Sequence, residues 1–348
     1  MHVFFVAMLV TTSSASVTGA DLATEVDAMM RAYAGEAPGA SVLVLHGEAV
    51  LLRRSYGMAD RQRRVAVTPA TNFRLASVTK QFTAAAVLLL VEEGRMSLDD
   101  SARRWLPSLP PSADAVTLRH LLLHGSGLID YEDLMPARET RQVRDAGVLR
   151  LLETEHRLYF SPGTGYRYSN SGYALLALVV EHASGMGFPA FLQQRIFQPL
   201  GMARTLAYTA DGPAIANRAY GYSERDGQWV RTDQSTTSAV LGDGGIYSSV
   251  DDLAKWAAAL HDDRLLNEHS RKLMFTPHVA SDDPDIHYGY GWRITHDSVW
   301  HSGETIGFRN VIVRYPAQRL SVVVLTNRDG PEQYEMAKQI AEQVKPHE

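Results

Sequence analysis

Apolar positions along this chain follow two different rhythms. Runs of Val, Leu and Ala at Ala40 to Leu45 and Ala49 to Tyr56 meet through His46, Gly47 and Glu48, which predicts a hairpin. Near the other end, Tyr290 to Thr295, Phe308 to Tyr315 and Leu320 to Leu325 read as strands, with Pro316 to Arg319 as the turn between the last two. Asp21 to Tyr33 reads as a helix. Phe73 to Glu93 reads as a longer one, almost wholly apolar from Val78 to Val91 and closed by Gly94. A helix without a broad polar face belongs in the interior.

Between Leu98 and about Thr236 the pattern changes. Helical stretches at Leu118 to His124, Arg144 to Glu155, Tyr173 to His182 and Pro189 to Phe197 alternate with Pro-, Gly-, Ser- and Asp-rich loops. Beyond Thr236 comes a compact Gly-rich segment, Gly244 to Ser248. Ser249 then stands three residues before Asp252, a capping spacing ahead of a helix with Leu253, Trp256 and Leu260. Glu335 to Val344 reads as a last amphipathic helix.

Strand signals at both ends and helices between them predict an α/β (α+β) fold. Residues 21–97 and 237–348 would build one antiparallel sheet flanked by helices, and residues 98–236 an inserted, mostly helical domain. The length, 348 residues, supplies ample core for this plan.

Composition narrows the chemistry. The absence of cysteine excludes disulfides, thiolate zinc sites, cysteine nucleophiles, cysteine-ligated iron–sulfur clusters and a lipidated cysteine. The net charge of -5, without a long basic patch, points away from nucleic acid. Val3 to Val10 is an apolar run followed by Ser, Thr and Ala, with Thr18 and Ala20 at cleavage-like spacing. Residues 1–20 therefore read as a signal peptide, although only His2 and the amino terminus supply a charged start. Export to a bacterial periplasm or beyond follows; a cytoplasmic protein is the alternative if this run is no signal. No stretch is long enough for stable membrane insertion.

Three short motifs carry candidate chemistry. Ser77 and Lys80 stand three apart at the start of the apolar helix, so their side chains share a face. A lysine amine accepts a serine proton only where burial or neighbouring cations disfavour its charge. Tyr168 and Asn170 stand two apart in an extended stretch and point the same way. His301, Ser302 and Gly303 form the third, where glycine permits close approach to a strand edge. Each motif alone is as easily a helix cap, a packed tyrosine or a hydrogen-bonded loop histidine.

Their order and setting resemble the serine penicillin-recognising family, comprising class C β-lactamases, D-Ala-D-Ala carboxypeptidases, D-aminopeptidases and related esterases. The resemblance runs from about Asp21 to Lys345. It rests on FRLASVTKQFTAAAV (Phe73 to Val87), LRHLLLHGSGL (Leu118 to Leu128), SPGTGYRYSNSGYALLALV (Ser161 to Val179), GGIYSSVDDLAKW (Gly244 to Trp256) and YGYGW (Tyr288 to Trp292).

The resemblance implies Ser77 as nucleophile, Lys80 as its base partner, Tyr168 as proton relay and Asn170 as companion. It implies His301, Ser302 and Gly303 as the strand motif, and the N–H groups of Ser77 and Glu304 as the oxyanion hole. Asp130 and Tyr131 fall in a loop that edges the cleft in relatives. Histidine at 301, where β-lactamases usually carry lysine, brings no permanent charge, which weighs against strong β-lactam turnover. Glu304 would disfavour anionic substrates if it faces the cleft.

The expected activity is hydrolysis of an ester or a D-amino-acid amide or peptide through an acyl-enzyme. A class C-like β-lactamase and a penicillin-binding protein with slow or no turnover are the alternatives. Neither cofactor nor metal is expected: no phosphate-binding fingerprint is present, and His120 and His124 lack a zinc-type setting.

Overall fold

The computed structural model describes residues 19–345. The signal-peptide run up to Thr18 lies outside the described residues. An eight-stranded antiparallel sheet dominates. Its strands are β1 (Ala40–His46), β2 (Ala49–Tyr56), β3 (Val279–Ala280), β4 (His287–Tyr288), β5 (Arg293–Ile294), β6 (Val299–Thr305), β7 (Phe308–Tyr315) and β8 (Leu320–Thr326). They lie in the order β3-β4-β5-β6-β7-β8-β1-β2. Both chain ends thus share one sheet, and β1 pairs with β8 from Ala40↔Thr326 to His46↔Leu320.

The central strands are buried on both faces, which is why they read as unbroken apolar runs. Leu43, Leu45, Ile312, Val323 and Leu325 join the core with helix α2 (Lys80–Glu92). Val42, Val44, Val311, Val313, Val322 and Val324 face the other way, onto α1 (Gly19–Met29) and the C-terminal helix (Tyr334–Glu342). Burying one such side chain stabilises the fold by about 1.5–3 kcal/mol. The helical region is inserted between the two halves of the sheet. Its central helix, α3 (Asn170–Ser184), packs on α2 and contributes Tyr173, Leu175, Leu176 and Val179 to the same core.

The structure departs from the sequence pattern near the nucleophile. The expected helix from Phe73 begins only at Lys80. Phe73 and Arg74 instead pair with Ser248 and Tyr247, and Ala76–Thr79 is a 3-10 turn. Long-range strand pairing outweighs local helix propensity here. Val299–Thr305, not among the expected strands, forms a full strand, whereas Tyr290 to Thr295 contributes only Arg293–Ile294.

Candidate active site

Ser77 lies in the 3-10 turn and Lys80 opens α2. Ala76, just before the serine, is in the left-handed region at φ +50°. For a residue with a Cβ this is strained, and such strain is held only where the surroundings over-determine it. Lys80 is fully buried. Its Nζ donates to Ser77 Oγ at 3.0 Å, Asn170 Oδ1 at 2.8 Å and the Asp243 carbonyl at 3.1 Å. Three acceptors match the three N–H groups of an ammonium. The rings of Tyr168 and Tyr173 lie 4.8 and 5.4 Å from the same nitrogen.

Asn170 opens α3, and its N–H donates to Asp130 Oδ2 at 2.6 Å. Asp130 also caps the next short helix through Glu132 N–H, so its carboxylate ties two helix starts together. Asn170 Nδ2 donates to Glu132 Oε1 at 2.9 Å. Tyr131 is buried and donates its hydroxyl to Asp243 Oδ2 at 3.1 Å. Its ring walls the site while its phenol is engaged within the protein.

The helix α4 (Leu241–Gly244) brings Asp243 in from the second half of the chain. Buried Asp145 holds this helix, accepting Leu241 N–H at 2.9 Å and Gly242 N–H at 3.0 Å. Burial pushes the Asp243 carboxyl up to about 8, with Lys80 opposing that shift and Asp145 and Glu132 adding to it. Burial, with Asp130 adding, also raises Glu132. Glu304 is raised by burial and by Glu332.

From the sheet, β6 closes against the serine turn at Gly303. A Cβ there would stand 2.0 Å from the Leu75 carbonyl oxygen and 3.1 Å from Val78 N, so only glycine allows the approach. Glu304 and Thr305 then reach the Ser77 pocket. His301 is brought into the same cluster, with its ring centre 6.2 Å from that of Tyr168. Its nitrogens are committed elsewhere: Nδ1 lies 2.6 Å from the Ser302 carbonyl and Nε2 2.9 Å from Tyr288 Oη. Burial, then Arg293 and Lys80, hold this histidine well below its usual pKa. A neutral ring donating from Nδ1 and accepting from Tyr288 satisfies both contacts.

A pocket of about 50 Å³ lies beside the serine, walled by Ser77, Tyr131, Glu132, Asn170, Asp243 and Glu304. Arg74 also reaches it, but its guanidinium donates to the Ser238 and Gly244 carbonyls. The structure therefore gathers Ser77, Lys80, Tyr168, Asn170, Gly303 and Glu304 at one place. Tyr131 joins them through its ring, and His301 stands behind Tyr168 with its Nδ1 on the Ser302 carbonyl.

Sequence reasoning missed Asp243, Glu132 and His124. Asp243 stood one residue before the GGIYSS run and offered no spacing signal. For His124 the sequence offers only its four-residue spacing from His120. Its Nδ1 accepts Ser169 N–H at 3.1 Å and its ring packs on Tyr168, with centres 4.3 Å apart.

The Beta-lactamase family model matches residues 24–345. The chain belongs to the Beta-lactamase family. It is 32% identical over 316 residues to penicillin-binding protein 4* of Bacillus subtilis, covering 85% of this chain and 70% of that protein. It is 31% identical to the D-aminopeptidase of Gluconobacter oxydans, covering 87% of this chain but only 58% of the relative. The solved D-amino acid amidase of Ochrobactrum anthropi, complexed with L-phenylalanine amide, superposes with a TM-score of 0.79 at 26% identity, covering 93% of this chain and 97% of the amidase. As a Beta-lactamase family member the chain is a serine hydrolase, working through an acyl-enzyme on ester, amide or peptide carbonyls.

Proposed function

We propose that this Beta-lactamase family enzyme hydrolyses small amides or peptides bearing an ammonium group on the acyl side, with D-amino acid amides as the leading class. The observation that carries the reading is the wall of the Ser77 pocket. Glu132, Asp243 and Glu304 line it, while the guanidinium of Arg74 is spent on backbone carbonyls. Ionised carboxyls facing a small cavity favour a cation and repel an anion, and Asp243 takes part in this only as pH rises through about 8. The D configuration is supported by the D-aminopeptidase and D-amino acid amidase relatives.

Ser77 attacks the carbonyl, and its proton passes into the Lys80–Tyr168 pair, which acts as one coupled unit. Lys80 is held in that pair by its contacts with Ser77, Asn170 and the Asp243 carbonyl, and whichever member lacks a proton receives the one from Ser77. The oxyanion gathers between the N–H groups of Ser77 and Glu304, which Gly303 allows to approach. Tyr168 returns the proton to the leaving group, and water then cleaves the acyl-enzyme. His301 positions Tyr288 behind Tyr168 and stays neutral. The apolar start of the chain supports export, which cell fractionation tests.

The deciding experiment compares D-alanine amide with N-acetyl-D-alanine amide. The free amine should give a kcat/KM about tenfold or more higher, as a charge-assisted contact would supply. Equal rates would overturn the ammonium reading. A β-lactam that acylates one equivalent without turnover, with no amide hydrolysed, would make the chain a penicillin-binding protein instead.

A further inference from the structure

Tyr166 to Ser169 belongs to no helix or strand, yet it carries Tyr168, the proton relay of the proposed reaction. A single residue far back in the chain grips this stretch on both sides of the tyrosine. The carbonyl of His124 accepts the Arg167 N–H at 3.0 Å, and its Nδ1 accepts the Ser169 N–H at 3.1 Å. Between those contacts the imidazole lies along the Tyr168 ring, with centres 4.3 Å and planes 35° apart. Apart from Lys80, the reaction partner, the other groups around that ring stand farther off. Arg293 is 5.5 Å, His301 6.2 Å and Tyr288 6.4 Å from its centre.

His124 is itself firmly set. It is buried, its ring meets those of Tyr166, Tyr173 and Tyr288, and its backbone is in the left-handed region at φ +56°. Its loop is tied down on either side. The Gly125 N–H donates to the His120 carbonyl at 2.9 Å, and the Tyr173 hydroxyl to the Leu122 carbonyl at 2.8 Å. Tyr173 belongs to α3, so this loop is anchored to the helix that Asn170 opens.

An Nδ1 that accepts carries no proton, so the ring is neutral with its proton on Nε2. Burial, then Lys80, His301 and Arg293, favour that neutral form. Nε2 is buried and has no hydrogen-bond partner among the described residues. It has no group to which it could pass a proton, which leaves His124 a geometric part.

We propose that His124 is the positioning residue for Tyr168, clamping the chain from Arg167 to Ser169 so that the phenol meets Lys80 and Ser77. The Nδ1 acceptor fixes the backbone beside the tyrosine, and the ring face fixes the direction of its side chain. This deepens the proposed function, resting on Tyr168 as proton relay and not on the ammonium preference.

The test uses ethyl butyrate and 4-nitrophenyl butyrate. Neither carries an amine, so the outcome is separate from that of the ammonium test. Ethoxide must be protonated as it leaves, whereas 4-nitrophenolate departs as an anion. His124→Phe keeps a ring and loses the acceptor. Its kcat on the ethyl ester should fall on the order of 10²-fold with KM nearly constant, and the loss on the nitrophenyl ester should be smaller. His124→Asn tolerates the left-handed backbone and offers Oδ1 in place of Nδ1, but has no ring. It should also lose kcat, mainly on the ethyl ester, and serves if the phenylalanine variant does not fold. In a Tyr168→Phe background neither change should cost more than about twofold, because a residue acting through the phenol has nothing left to position. Additive losses would overturn the proposal, as would equal losses on both esters or parent-like kcat in the folded His124 variants. Tyr168→Phe alone reports on the relay: parent-like turnover there would remove the relay and the clamp together.

Discussion

The hydroxyl of Tyr131 donates to Oδ2 of Asp243 at 3.1 Å, inside the wall of the Ser77 pocket. That contact satisfies a carboxyl which burial holds up at about 8. The unfolded carboxyl releases its proton near 4, so between about pH 4 and 8 the folded chain holds a proton that the unfolded chain has lost. Stability from Asp243 is therefore full below pH 4 and declines as pH rises through 8. Asp243→Asn should remove that decline, at about 1.4 kcal/mol per unit of pKa difference. Urea unfolding at pH 5 and 9 checks it. A parent-like slope in the variant would mean that Asp243 does not titrate in this way.

The same carboxyl links pH to substrate. If it faces a bound ammonium, KM for D-alanine amide should pass through a minimum near pH 8, because Asp243 ionises at about 8 while the substrate amine loses its own proton at about 7.7–8.0. In Asp243→Asn, KM should only rise as the substrate amine loses its proton at about 7.7–8.0. Steady-state kinetics on both sides of that pH decides between the two.

His124 and His301 act in the opposite sense. Burial holds both well below the ordinary histidine pKa, with Lys80 and Arg293 adding to the effect. Stability from these groups is full above about pH 6.5 and falls as acid charges the unfolded chain first. His301→Gln should flatten the acid-side loss of Tm. It should leave no change in the pH–rate profile between pH 6.5 and 8, because the ring is already neutral there. A shifted rate profile would give His301 a direct part in proton transfer.

Ser77→Ala should fold as the parent does. The serine caps no helix, so its loss should change stability by about 0.5 kcal/mol or less. Turnover should drop at least ~10³-fold, with no covalent adduct by intact mass. Lys80→Ala should instead destabilise, since it leaves the buried Asp243 carbonyl without its donor, at about 1–3 kcal/mol, and also strips the half-buried Asn170 amide of its partner. Parent-like hydrolysis by folded Ser77→Ala would remove Ser77 as the nucleophile.

Gly303→Ala tests the oxyanion hole through packing alone. The added methyl cannot coexist with the Leu75 carbonyl, so β6 must move away from the serine turn. A shift of about 1 Å costs on the order of 10²-fold in rate. A fall in kcat with nearly constant substrate affinity is expected. Parent-like kcat would show that the N–H of Glu304 is not part of the hole.

Local spacing made part of this site legible from the start. Ser77 and Lys80 needed only a three-residue step on a helical turn, and Tyr168 and Asn170 only a two-residue step in extended chain. The apolar runs at both ends gave the shared sheet, because strands buried on both faces leave an unbroken signal. Sequence could not show that Phe73 and Arg74 pair with Tyr247 and Ser248 and so delay the helix to Lys80. It could not show that the His301 nitrogens are taken by Tyr288 and Ser302, nor that Asp243 crosses from the second half of the chain to hold Lys80. Periodicity and short spacing record which residues share a face. Which faces then meet, and which buried polar groups are left without a partner, depends on contacts between residues far apart in the chain.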